Sequence, residues 1–135
     1  MNNRIYNAIV LVDEPGDPSK HYATMVKEQI KTIETRMRNI IPEGAIVICC
    51  GAKSMTKNRL KALCIVFANQ GRPMTEADEK KACIECVPGR IAYDLMWWKY
   101  FSRDFEFSKC KVSGTFQGIF KIAIPDDVEI LDARP

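Results

Sequence analysis

The residues richest in chemistry follow a short apolar run: Gly51-Ala52-Lys53-Ser54-Met55-Thr56-Lys57-Asn58-Arg59. Backbone N–H groups in a loop of this kind, with hydroxyls and cations beside them, can hold a phosphate. Lys53, Ser54, Thr56, Lys57 and Arg59 are therefore candidate ligand-binding residues. The spacing is not the G-x-x-x-x-G-K-[ST] of a nucleotide-binding P-loop, so that mechanism is set aside. The plainer reading is a solvated hairpin loop.

A second group is aromatic: Tyr93, Trp97, Trp98, Tyr100 and Phe101. Positions 97, 98, 100 and 101 cannot all point to one side of a helix. The surplus reads as a contact between copies of the chain, since Trp and Tyr dominate interface hot spots. The sharper reading has Trp97 or Tyr100 stacking on a base, with Arg90 completing the pocket.

Other groups are isolated. Cys83 and Cys86 are spaced to share a helix face and would offer two thiolates, but a structural zinc needs two more ligands. They are weak metal candidates, and packing is the simpler role. The expectation is no metal and no cofactor. His21, the one histidine, has no triad-like spacing to support it as a base. An enzyme built around His21 and Asp13 is kept as an alternative, and a non-enzyme is preferred.

The elements that must position these groups follow from periodicity. Residues 5–12 read as a buried strand. Asp17 is an N-cap with Pro18 at the first helical position. Tyr22, Val26, Ile30, Ile33, Met37 and Ile40 then recur at helical spacing, predicting one long helix that Pro42 and Gly44 stop. Residues 45–50 read as a second buried strand. Residues 60–68 fit a helix stripe or a buried strand, with the strand favoured. Thr75 and Asp78 have the form of a capping box that opens a helix to about Val87. A further helix is expected from Arg90 to about Arg103, and a hairpin from arms 105–112 and 115–124 around Ser113-Gly114.

The expected fold is α+β: a mixed or antiparallel sheet with helices packed on one face. Its simplest form is a ferredoxin-like βαββαβ core with an added C-terminal hairpin strand. If 60–68 is helical, a smaller βαβα arrangement replaces it. Residues 1–125 form the single domain. Residues 126–135, with Asp126, Asp127, Glu129 and Asp132, are an acidic tail or short strand.

The chain has 135 residues, 47% hydrophobic and 27% charged, and a net charge of +3. That composition suits one ordinary globular domain. No run approaches a membrane span. The opening Met1-Asn2-Asn3-Arg4-Ile5 lacks a signal-peptide layout. A cytoplasmic protein is therefore expected, and its six cysteines read mostly as packing residues. Between Glu43 and Glu76 no acidic residue occurs, while Lys53, Lys57, Arg59, Lys61 and Arg72 do. The expected function is non-enzymatic binding of a phosphate-bearing small ligand, a nucleotide or nucleotide-derived signal, by a homo-oligomer. A nucleic-acid-binding protein, or an inhibitor of nucleic-acid machinery, using the basic 51–72 face is the alternative. The modest charge weakens it.

Overall fold

In chain order the elements are β1 (Ile5–Leu11), α1 (Tyr22–Lys27), β2 (Ile33–Arg36), β3 (Gly44–Cys50), β4 (Ala62–Ala68), β5 (Arg72–Pro73), α2 (Glu79–Ala82), β6 (Ile91–Phe101), β7 (Lys111–Gly114), β8 (Phe120–Ala123) and β9 (Ile130–Leu131). They come from a computed structural model that describes residues 4–135. The first three residues, part of the signal-peptide reading, lie outside the described residues. No described helix is long and apolar enough to cross a membrane.

The strands run in the order β2-β6-β4-β3-β1-β8-β7, with β5 and β9 added on β6. β1 and β3 are parallel, and the other pairings are antiparallel. The sheet is therefore mixed, as expected. Residues 62–68 form a strand, the favoured reading of the ambiguous segment.

The continuous apolar run in β3 is explained by burial on both faces. Ile46, Ile48 and Cys50 join α1 residues Ala23 and Val26 in one apolar layer. Val47 and Cys49 join Phe101, Phe105, Phe107, Phe120 and Ile122 in a layer on the other side. Each fully buried Ile or Val stabilises the fold by about 1.5–3 kcal/mol.

The helices are where expectation and structure part. The long helix over residues 22–40 is replaced by six residues of α1 and the strand β2. The stop is a left-handed turn at Gln29, with φ 61°. The Ile30 N–H donates to the Met25 carbonyl at 2.8 Å, and the Gln29 N–H to the Val26 carbonyl at 3.0 Å. These are the two bonds of a Schellman closure, built without glycine. Ile30 and Met37, placed on the expected buried stripe, are exposed.

The helix expected over 90–103 is instead the long strand β6. Its aromatic and branched residues suit a pleated surface. Trp97 has φ 55°, and the pairing with β4 shifts register between Ile65 and Phe67. The interruption breaks the simple alternation along β6. Ala92, before it, lies between Thr35 of β2 and Arg72 of β5. Tyr93 beside it reaches into the α1-side layer, where it is fully buried.

The helix expected from Thr75 to Val87 is reduced to a 3-10 turn and the single turn of α2. Its start is as read: the Thr75 N–H donates to the Asp78 carboxylate at 2.9 Å. The terminal hairpin is shorter than expected. A 3-10 turn at Phe107–Cys110 takes half of its first arm, and β7 pairs β8 from Lys111 opposite Ile122 to Gly114 opposite Phe120. The helices thus shrink to α1 and the single turn of α2, and the βαββαβ scheme gives way to a sheet-dominated order.

Candidate functional site

β2 ends the sheet. The Leu95 N–H donates to the Thr32 carbonyl. By antiparallel alternation, the peptide groups of Ile33 and Thr35 then turn away from β6. Around that free edge lies a cavity of about 430 Å³, bounded by the end of β1, Tyr22 of α1, β2, Ile84 and Arg90. This volume is in the range of small-molecule sites.

Three cations, Lys31, Arg36 and Arg90, line it with one carboxylate, Glu34. Lys31 and Glu34 are 2% and 5% exposed, with Nζ 3.6 Å from Oε1. Arg36 Nε lies 3.1 Å from Glu34 Oε2, and its Nη2 donates to the Val10 carbonyl at 3.3 Å. Lys31 also donates to the Ala82 carbonyl and sits 5.3 Å from the Tyr22 ring centroid. Burial pushes the Lys31 ammonium below the ordinary lysine value, against the opposing pull of Glu34.

Arg90 Nη1 donates to Thr35 Oγ1 at 3.1 Å. Its Nε is buried and is the one side-chain polar atom of that kind lacking a hydrogen-bond partner among the described residues. A buried donor left unpaired costs about 1–3 kcal/mol. One carboxylate cannot neutralise three cations, so the cavity is suited to an anion.

The basic loop has a different layout from the one its sequence suggests. Ser54 and Thr56 turn inward, to a buried network centred on Asp13, which is 0% exposed. The Asp13 carboxylate accepts from the Thr24 N–H at 2.9 Å and from Thr24 Oγ1 at 2.5 Å. Thr56 Oγ1 adds a third bond at 2.6 Å. The Asp13 N–H donates to Ser54 Oγ, and Asn58 Nδ2 donates to Thr24 Oγ1. Burial pushes the Asp13 carboxyl up, but the bonds from Thr24 and Thr56 pull it down further, so it lies below the usual carboxylate value. Lys53, Lys57 and Arg59 stay exposed on the same loop, with Arg59 Nε donating to the Ala52 carbonyl at 2.8 Å.

Of the expected site residues, Arg90 alone lines the cationic cavity. Lys53 lines a neighbouring cavity of about 550 Å³. Trp97 is 68% exposed and packs on Phe67, with centroids 4.9 Å apart. Tyr100 is buried beneath α1. Its hydroxyl donates to the Lys27 carbonyl at 3.1 Å and accepts from Gln29 Nε2 at 2.9 Å.

His21 joins Asp13 through a backbone bridge, while the Asp13 oxygens are taken up by the threonines. Cys83 and Cys86 are partly exposed, and all six cysteines are free. Among the described residues no group of three or more His, Cys, Asp or Glu side chains is arranged to hold a metal.

Lys31, Glu34 and Arg36 were missed by the sequence reading because a helix was assigned across them. Read with a period of two, Ile33-Glu34-Thr35-Arg36 puts Glu34 and Arg36 on one face of a strand; Lys31, which precedes the strand, carries no such signal. No protein-family model matches the chain, and no curated protein is detectably similar to it in sequence.

Proposed function

We propose that the chain is a non-enzymatic binding protein for a phosphate-bearing small ligand, a nucleotide or nucleotide-derived signal. The ligand's anionic end would sit at the cavity around β2. The observation that carries this reading is the convergence of Lys31, Arg36 and Arg90 on a cavity with one carboxylate, Glu34. Arg90 supplies a guanidinium on the cavity wall, its Nη1 held by Thr35 Oγ1. Arginine suits phosphate oxygens through its planar fork of donors.

Self-association belongs to the same reading. Trp97 on β6 offers a large exposed aromatic surface of the type found at subunit contacts. The nucleic-acid alternative draws on the exposed Lys53, Lys57 and Arg59. It requires binding that falls steeply with salt.

Isothermal titration of inorganic phosphate and pyrophosphate into wild type and Arg90→Ala tests the reading. Pyrophosphate is expected to bind, and the variant to bind it about tenfold to a hundredfold more weakly, the value of one charge-assisted contact. Wild-type binding absent at millimolar anion, or unaltered by Arg90→Ala, overturns the site.

A further inference from the structure

The end of β1 separates two cavities. β8 pairs with β1 only as far as Ala8, opposite Phe120. The Gly51 N–H donates to the Leu11 carbonyl at 2.8 Å. Successive peptide groups of a strand point to opposite sides, so those of Val10 and Val12 turn toward the side that β8 has left. The Val10 carbonyl is reached there by Arg36, at 3.3 Å. Arg36 therefore stands both in the cationic cavity and at the open edge of β1.

Val10 and Val12 are walls of both cavities. The second cavity, about 550 Å³, is made chiefly of apolar side chains, with Leu60, Phe107 and Phe116 the largest. The two rings meet edge to face, 5.3 Å apart at 90°. Lys53 is the one charged residue on its wall, with Ser108 and Gln117 as polar neighbours. An apolar chamber with a few polar groups at one side is the usual form of a site for an organic ligand. Along β1 the distance from Val10 to Val12 is only about 7 Å. A molecule with an anionic group at one end and a flat ring system at the other can bridge that distance.

We infer that one ligand occupies both cavities and crosses the open edge of β1. Its phosphate lies among Lys31, Arg36 and Arg90, and its aromatic heterocycle lies against Phe107 and Phe116, with Lys53 available to the ring's acceptors. The inference rests on the reading of the cationic cavity as a phosphate site. It adds the place of the base and the reach of the molecule, that of a nucleoside monophosphate or a ligand of that build.

Calorimetric titration of inorganic phosphate and of adenosine and guanosine 5′-monophosphates into wild type and Phe116→Ala tests it. At least one nucleotide is expected to bind about tenfold to a hundredfold more tightly than phosphate, the value of one stacked base. Phe116→Ala is expected to remove most of that advantage while leaving phosphate affinity unchanged. Methyl NMR of the wild type gives a second readout that needs no variant. Nucleotide, and not phosphate, is expected to shift the Leu60 methyl signals. Equal affinity for phosphate and nucleotides, or unmoved Leu60 signals at nucleotide saturation, overturns the two-cavity ligand and leaves the phosphate site standing. Failure of phosphate and nucleotides alike to bind wild type removes the phosphate reading itself.

Discussion

Replacing Asp13 by alanine removes the acceptor that ties three segments together. The carboxylate takes the Thr24 N–H and hydroxyl from the first turn of α1 and the Thr56 hydroxyl from the loop after β3. His21, the N-cap of α1, makes no side-chain capping bond, so Asp13 satisfies a helix-end donor from outside the helix. Hydrogen bonds to charged groups contribute about 1.5–3 kcal/mol each. Three such bonds do not add in full, because the two hydroxyls can rotate toward other acceptors while the Thr24 N–H cannot.

A loss of about 3–5 kcal/mol is therefore expected for Asp13→Ala, less than the full sum of three such bonds. Asp13→Asn, which keeps the acceptor facing Thr24 N–H, should lose about 1–2 kcal/mol. Urea unfolding followed by tryptophan fluorescence measures both. The pH dependence is a second check. The Asp13 carboxyl lies below its usual value in the fold, so its contribution is fully present above the unfolded pKa of about 3.9. It is lost as pH falls through the lower folded value. The stability gap between wild type and Asp13→Ala should thus be flat from pH 7 to about pH 5 and narrow in stronger acid. A gap below about 1 kcal/mol at pH 7, or one that widens in acid, would refute the assignment of Asp13 as the network's centre.

Three further outcomes are expected. Glu34→Gln takes away the carboxylate that competes with an anion for Lys31 and Arg36; it should cost about 2–4 kcal/mol in unfolding experiments and tighten pyrophosphate binding, and weaker binding would contradict it. Tyr100→Phe loses the bonds to Lys27 and Gln29 and should cost about 1–2 kcal/mol, with pyrophosphate affinity unchanged in calorimetry. Iodoacetamide applied to the native protein should label Cys83, Cys86 and Cys110 at most, because Cys49, Cys50 and Cys64 are buried and burial pushes the Cys64 thiol up to about 12; a fourth alkylated cysteine in the intact-mass spectrum contradicts the packing.

Local signals were legible where one residue type controls the geometry. Asp17 caps the turn at Pro18–Lys20 by accepting from the Ser19 N–H, and Asp78 accepts from Thr75 as the capping box requires. The double-sided burial of β3 is written in its unbroken apolar run. Two long helices were misread for different reasons. Residues 22–40 happen to repeat at helical spacing, yet Gln29 turns left-handed without the glycine that marks most such stops. In β6 the irregular residue Trp97 disrupts the period of two, leaving aromatics that fit no single helix face and that a strand distributes between two.

By itself, then, the sequence determined the capped turns, the buried central strands and a stretch between Glu43 and Glu76 with cations and no acidic residue. Only the tertiary structure decided which cations share a cavity. Ser54 and Thr56 look like loop groups, but Asp13 draws them inside, since a buried carboxylate must be satisfied by every donor within reach. Lys31, Glu34 and Arg36 look like the wet side of a helix. They become the wall of a cavity because β2 pairs with a strand almost 60 residues further along the chain, and spacing along one segment cannot report a partner at that distance.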